Sequence, residues 1–149
     1  SLVDGLTFGL GAGESEYDDE SVAGRENGSS SVAYANYTMG SITAGITISD
    51  TANTRSATAV NTNTGGREVE AYGVSMAVND NLSISYNEHN MTYRKAGAGP
   101  DVEQQSTGIA IAYTMGGATL AIQNNSMDNV TGTANENDEI TEVSLSLAF

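Results

Sequence analysis

The stretch IAIAYTMGGATLAIQN, Ile109–Asn124, decides the fold class of this chain. Apolar residues alternate with small or polar ones on both sides of Gly116-Gly117, which is the pattern of a β-hairpin with a tight turn. The YTMG motif before this turn also occurs at residues 37–40. A weaker copy of the hairpin, Tyr72–Tyr86, lies between the two. Three hairpins in series indicate a repetitive all-β protein.

The amino-acid composition excludes several classes of structure and function. The 149 residues are the length of one domain, and we treat residues 1–149 as a single unit. The formal charge of −14, with only 5 basic residues, argues against nucleic-acid binding because no cationic surface can neutralise phosphates. The chain has no cysteine and therefore no disulfides or thiolate metal sites. No apolar run reaches the roughly 18–20 residues of a membrane helix.

The pattern predicts eight strands in a meander. They are Leu6–Ala12, Ser31–Met39, Ile42–Ser49, Arg67–Val78, Leu82–His89, Gln104–Met115, Ala118–Asn124 and Asp138–Phe149. Short turns are predicted at Asp4-Gly5, Gly40-Ser41, Asn79–Asn81 and Gly116-Gly117, and long loops at Gly13–Ser30, Asp50–Gly66, Asn90–Glu103 and Asn125–Asn137. Short turns at one end and long loops at the other are typical of an outer-membrane barrel. Because too few residues for a strand precede Asp4-Gly5, we expect the sequence to be a fragment.

Two interpretations compete for the alternation: a soluble β fold with an apolar core, and a transmembrane antiparallel β-barrel with its apolar face on lipid. The polar face carries few charges, and we expect the charge to lie in the long loops. Aromatic residues lie near both strand ends, as an interfacial belt requires: Tyr37, Tyr113 and Phe149 at the turns, Tyr72 and Tyr86 toward the loops. Both features favour the barrel.

The two-residue period assigns side chains to opposite faces. The set predicted to face lipid is Phe8, Ile46, Val74, Ile84, Ile111, Leu120 and Leu145, and the set predicted to face the lumen is Thr47, Ser75, Ser85, Ala112, Ala121 and Ser144. Small side chains cannot fill a closed eight-stranded barrel, so they indicate the wall of a wider, water-filled one.

Charged residues with the lumen parity are candidates for biasing the passage of ions and solutes. These are Arg67, His89 and Glu142, and the uncharged candidates for lining the pore are Thr47, Ser85 and Asn87. The alternative for the charged three is that they are simply solvated at strand ends.

An acidic cluster precedes the second strand: Glu14, Glu16, Asp18, Asp19 and Glu20. Carboxylates on a flexible loop suit Ca²⁺ or Mg²⁺, but the cluster favours the alternative, an acidic, hydrated outer surface. No cofactor is otherwise indicated. For catalysis we find no motif, because His89 has no Ser or Asp partner fixed by sequence, and we expect no enzyme activity.

With these hairpins, acidic Gly/Asn/Thr-rich loops and the ending EVSLSLAF, the chain resembles the C-terminal half of a Gram-negative general porin of the alphaproteobacterial type. The resemblance implies a 16-stranded barrel, a homotrimer in outer-membrane lipid, and passive diffusion of small hydrophilic solutes. It also implies that Phe149 is the signal read by the outer-membrane assembly machinery, which would place the short turns in the periplasm. The main alternative is a non-conducting outer-membrane barrel acting through its loops in adhesion or as a platform. A soluble secreted β protein is a third.

Overall fold

The computed structural model describes residues 3–16, 27–52, 65–95 and 99–148. Eight antiparallel strands form a single sheet in chain order. They are β1 (Leu6–Ser15), β2 (Gly28–Met39), β3 (Ile42–Ala52), β4 (Gly66–Ala77), β5 (Leu82–Arg94), β6 (Val102–Met115), β7 (Ala118–Asp128) and β8 (Asp138–Leu147). Within the described residues no ladder joins β1 to β8, so these strands are the edges of an open sheet. The all-β meander is confirmed.

The two copies of the YTMG motif have the same geometry. Gly40 and Gly116 adopt φ angles of 61° and 60°, a left-handed conformation that only glycine adopts at low cost. Beside the first turn, the hydroxyls of Thr38 and Thr43 are hydrogen-bonded at 3.1 Å. The corresponding distance beside the second turn, from Thr114 to Thr119, is 2.9 Å. The two hairpins therefore close with the same turn geometry.

The strands are longer at the loop end than the sequence predicts. β5 continues to Arg94 and β7 to Asp128, where loops had been predicted. The same correction applies to each predicted loop: Gly13–Ser30, Asp50–Gly66, Asn90–Glu103 and Asn125–Asn137 all lose residues to strands. Alternation marks where apolar side chains stop, whereas backbone pairing is independent of side-chain polarity and continues beyond that point.

The register confirms the two predicted faces. Every residue of the predicted lipid set lies on the face that contains Ile42 and Ile46, which we call the apolar face. Every residue of the predicted lumen set lies on the opposite face, which we call the polar face. We call the two ends of the sheet the turn end and the loop end.

The described part of the sheet has almost no buried apolar side chains. Leu10 is 83% exposed and Leu145 is 63% exposed, although both are large and apolar. Among the described residues the helical structure consists of a short 3₁₀ turn, Val130–Gly132. No helix in this part of the chain has the length and hydropathy needed to span a membrane.

Candidate functional site

Most of the exposed apolar side chains form one band on the apolar face that crosses the sheet diagonally. Val32, Tyr34 and Ile140 are also exposed but lie on the polar face. In β3 the band extends from Ile42 up to Ile48, and in β8 from Leu147 up to Val143. Through the successive ladders, Val143 shares a row with Ile122, Ile111, Ile84, Met76 and Ile42. In β8, the residue of the band nearest the loop end therefore lies in the same row as the residue of the band nearest the turn end in β3. We call this feature the apolar band.

Carboxylates lie on the same face as the apolar band, on its loop side. Their positions follow from the register, and we call them the acidic strip: Glu14, Asp50, Glu68, Glu70, Glu88, Glu103, Asp128 and Glu139. This corrects the expectation that charge is confined to the long loops. The strands extend past the apolar residues, and the polar residues there keep the same two-residue alternation.

Arg94 is the cation within the acidic strip. Its Nη2 atom donates to Asp50 Oδ2 at 2.5 Å and to Glu68 Oε2 at 2.8 Å. These hydrogen bonds, Asp50 first, raise the pKa of Arg94. Arg94 thus ties three strands together at the loop end of the apolar face.

Glu88 lies just outside the apolar band, where β4 and β5 present Tyr72 and Tyr86. Its carboxylate accepts hydrogen bonds from Tyr86 Oη at 2.9 Å, from Gln105 Nε2 at 2.8 Å and from Asn90 Nδ2 at 3.1 Å. Hydrogen bonds from Tyr72, Asn90, Gln105 and Tyr86, in that order, lower the pKa of Glu88 to about 2. The aromatic edge of the band is therefore hydrogen-bonded to a carboxylate that is charged at neutral pH.

All six predicted lining residues lie on the polar face. The structure brings four of them together along one groove of about 510 Å³: Thr47, Ser85, Asn87 and His89. Arg67 and Glu142 lie outside this groove. The Arg67 guanidinium is 5.3 Å from the centre of the Tyr93 ring, and Glu142 accepts a hydrogen bond from Gln123 Nε2 at 3.0 Å.

A buried polar contact at the loop end escaped the sequence analysis. Gln104 is only 8% exposed, and its Oε1 accepts the Thr131 backbone N–H at 2.9 Å. Thr131 has a φ angle of 56°, which is strained for a β-branched residue. Since Gln104 shares its face with Met91 and His89, this contact places the Val130–Gly132 turn on the polar face. Alternation could have assigned Gln104 to that face but could not have found its partner.

One row of the polar face consists of asparagine and glycine residues, and this row was not predicted from the sequence. It runs through Asn36, Gly45, Gly73, Asn87, Gly108 and Asn125. The Asn36 side chain occupies the space that a Cβ on Gly45 would need. From β2 to β7 the middle of the polar face therefore consists of amides and glycines. Only the register, which sequence spacing did not supply, brings these residues into line.

Two remaining predictions concern residues near the ends of described segments. Glu14 pairs with Ser29 at the end of β1, and Glu16 follows this strand. Asp18, Asp19 and Glu20 lie outside the described residues, as does Phe149. Within the part of the chain that the structure describes, no group of three or more His, Cys, Asp or Glu side chains is arranged to hold a metal ion.

No protein-family model matches the chain, and no curated protein or solved structure is significantly similar to it.

Proposed function

We propose that this chain forms part of the wall of a water-filled barrel in a bacterial outer membrane, through which small hydrophilic solutes and ions diffuse passively. The observation that supports this proposal most directly is the contrast between the two faces of the same strands. One face carries exposed Ile, Leu, Val, Met and Tyr side chains in a continuous band. A patch of this extent on a sheet normally marks a surface that another apolar phase or partner covers.

The polar face supports an aqueous lumen. From β2 to β6 its turn half is made mostly of small residues, represented by the row Thr38, Thr43, Ser75, Ser85 and Ala110. The same row ends in the larger Gln123 and Glu142 in β7 and β8. Small side chains leave space above the sheet, whereas a closed eight-stranded barrel fills its interior. We infer that these eight strands belong to a wider barrel, in keeping with the resemblance to 16-stranded general porins. In this proposal lipid covers the apolar face, and the resemblance adds a homotrimer and the assembly machinery as partners.

The decisive experiment measures conductance through the native protein reconstituted in planar lipid bilayers. Ser85→Cys and Ile84→Cys are a matched pair, because these neighbours lie on opposite faces of β5. A charged, water-soluble thiol reagent should reduce the stepwise conductance of the Ser85 variant and leave that of the Ile84 variant unchanged. Membrane-inserted protein without conductance steps would rule out the pore.

The second candidate is a non-conducting outer-membrane barrel that acts through its loops. The observation that favours it is the position of the connection between β7 and β8, whose Val130–Gly132 turn lies on the polar face. Asn129 Nδ2 also donates to the Glu103 carbonyl at 2.8 Å, which fastens this connection to β6. The candidate predicts membrane partition without conductance. A soluble protein would partition into the aqueous phase of a detergent extraction instead.

A further inference from the structure

We propose that Asn87 and Asn125 form a weak binding subsite for neutral, hydroxyl-rich solutes on the polar face. This inference rests on the proposed function, because a solute reaches that face from an aqueous lumen. Asn87 of β5 pairs with Gly108 of β6, and Gly108 pairs with Asn125 of β7. A glycine thus separates two carboxamides in one row of three neighbouring strands.

The two carboxamides converge above Gly108. A Cβ on this glycine would lie 2.6 Å from Asn87 Oδ1 and 2.7 Å from Asn125 Oδ1, so both side chains lean over the same backbone position. Any residue with a side chain here would push both amides away. Glycine within a strand often marks a place where another group approaches the backbone closely, and in this row that space is occupied by two polar groups.

Within the described part of the chain, Asn87 and Asn125 make no side-chain hydrogen bond. Several other asparagines form side-chain hydrogen bonds within a turn, within their own strand or to a neighbouring strand: Asn79, Asn81, Asn90, Asn124 and Asn129. The two amides over Gly108 therefore keep their full hydrogen-bonding capacity for a ligand.

The chemistry of the pair selects the ligand class. Each carboxamide offers one acceptor oxygen and two N–H donors and carries no net charge. Neighbouring hydroxyls of a sugar or polyol both donate and accept, and therefore match both functions of two adjacent amides, whereas an ion would use only the oxygens or only the N–H groups. Ser106 and His89 pair with each other in the adjacent row and extend the same polar surface toward the loop end. Because the pair lies on an open sheet face, we expect a dissociation constant on the order of 1 mM or weaker.

The test follows the Asn87 and Asn125 side-chain amide resonances by NMR in detergent-solubilised protein titrated with sucrose. Both resonances should shift and saturate together. Removing one neutral hydrogen bond lowers affinity about fivefold, so N87A and N125A should each weaken binding by about this factor. G108A should weaken it as well, since its Cβ displaces both amides without removing them.

The matched control is N36A. Asn36 lies in the same row over Gly45, but no second amide shares that position, so the variant should bind sucrose as the wild type does. Poly(ethylene glycol) of similar mass has almost no hydroxyl donors and should bind more weakly. Shifts that rise linearly without saturation, or an equal loss of affinity in N36A, would overturn the subsite. Conductance is measured separately, so saturable binding without conductance would reject the pore and retain the subsite, and conductance without binding would do the reverse.

Discussion

Ile48 of β3 and Glu70 of β4 are direct cross-strand partners on the apolar face, so one row of the ladder passes from the apolar band to the acidic strip in a single step. The same row contains Leu10, which belongs to the apolar band, and Gln105, which lies beyond Glu70 among the polar residues of the same face. The boundary of the band is therefore inclined to the hydrogen-bonded rows.

The size of this inclination has a geometric explanation. Leu10 shares a row with Ile48, whereas Val143 shares one with Ile42, so the upper edge shifts by six residues between β1 and β8. A shift of about 20 Å along strands that span about 34 Å across corresponds to an angle of about 30°. Strands of outer-membrane barrels tilt by about 35–45°. A band that is level in a bilayer would have to cross tilted strands at a comparable angle.

The first prediction tests this geometry with spin labels at Ile48→Cys and Glu70→Cys in lipid vesicles. The two positions share a row and a face but lie on opposite sides of the boundary. The label at position 48 should be more accessible to oxygen, which concentrates in lipid, and the label at 70 more accessible to a water-soluble nickel chelate. Equal accessibility at both sites would show that the apolar band does not mark the lipid boundary.

A second prediction concerns the faces. Single cysteines at Thr47, Ser75, Ser85, Ala112, Ala121 and Ser144 should react rapidly with small water-soluble thiol reagents in membranes. Cysteines at Phe8, Ile46, Val74, Ile84, Ile111, Leu120 and Leu145 should be protected by lipid. Labelling yields measured by mass spectrometry decide the question, and a uniform reaction of both sets would contradict the assignment of lumen and lipid faces.

Glu88 gives a prediction about pH. Because its pKa is lowered from 4.5 to about 2 in the folded protein, the carboxylate contributes stability at pH values above its unfolded pKa. This contribution declines as pH falls below about 4.5 and is absent below the folded value. Glu88→Gln should therefore flatten the pH dependence of unfolding between pH 4.5 and 2. Glu70→Gln is the control, since Glu70 forms no such network with the residues that the structure describes. An equal effect there would contradict the assignment.

The sequence alone predicts the strands, turns and faces because these depend on local chemistry. The alternation in Ile42–Ile48 and the glycines of the two YTMG turns act within one hairpin. The diagonal band, the amides over Gly108 and the Glu88 network depend instead on register. Register aligns residues that are 17 to 21 positions apart in the chain, such as Gln105 with Glu88, or Asn87 with Gly108. Period-two alternation gives the face of each residue but not its partner.

Gly116 gives a prediction about turn energetics. Its φ angle is 60°, and a Cβ there would meet nothing within 4 Å, so any penalty comes from backbone conformation alone. Gly116→Ala should lower the free energy of unfolding by about 1–2 kcal/mol. Gly116→Asn should cost less, because asparagine tolerates the left-handed region. Urea unfolding in lipid vesicles measures both, and equal losses would mean that the turn relaxes away from this conformation.

The last prediction concerns Gln104 and the turn Val130–Gly132. The Gln104 Oε1 atom accepts the Thr131 N–H while Thr131 is held at positive φ, and such strain persists only where the surroundings impose it. Gln104→Leu keeps the bulk of the side chain but leaves the N–H without its acceptor, so opening of the turn should become easier by about 1–3 kcal/mol. Gln104→Glu retains an acceptor and should preserve the closed turn at neutral pH.

Hydrogen exchange at the Thr131 amide reports the opening directly. Gln105→Leu is the positional control, because the neighbouring residue lies on the apolar face and bonds to Glu88 instead. Faster exchange in the Gln104→Leu protein alone would establish that this one side chain holds the β7–β8 connection over the polar face, whereas unchanged exchange would show that other contacts hold it.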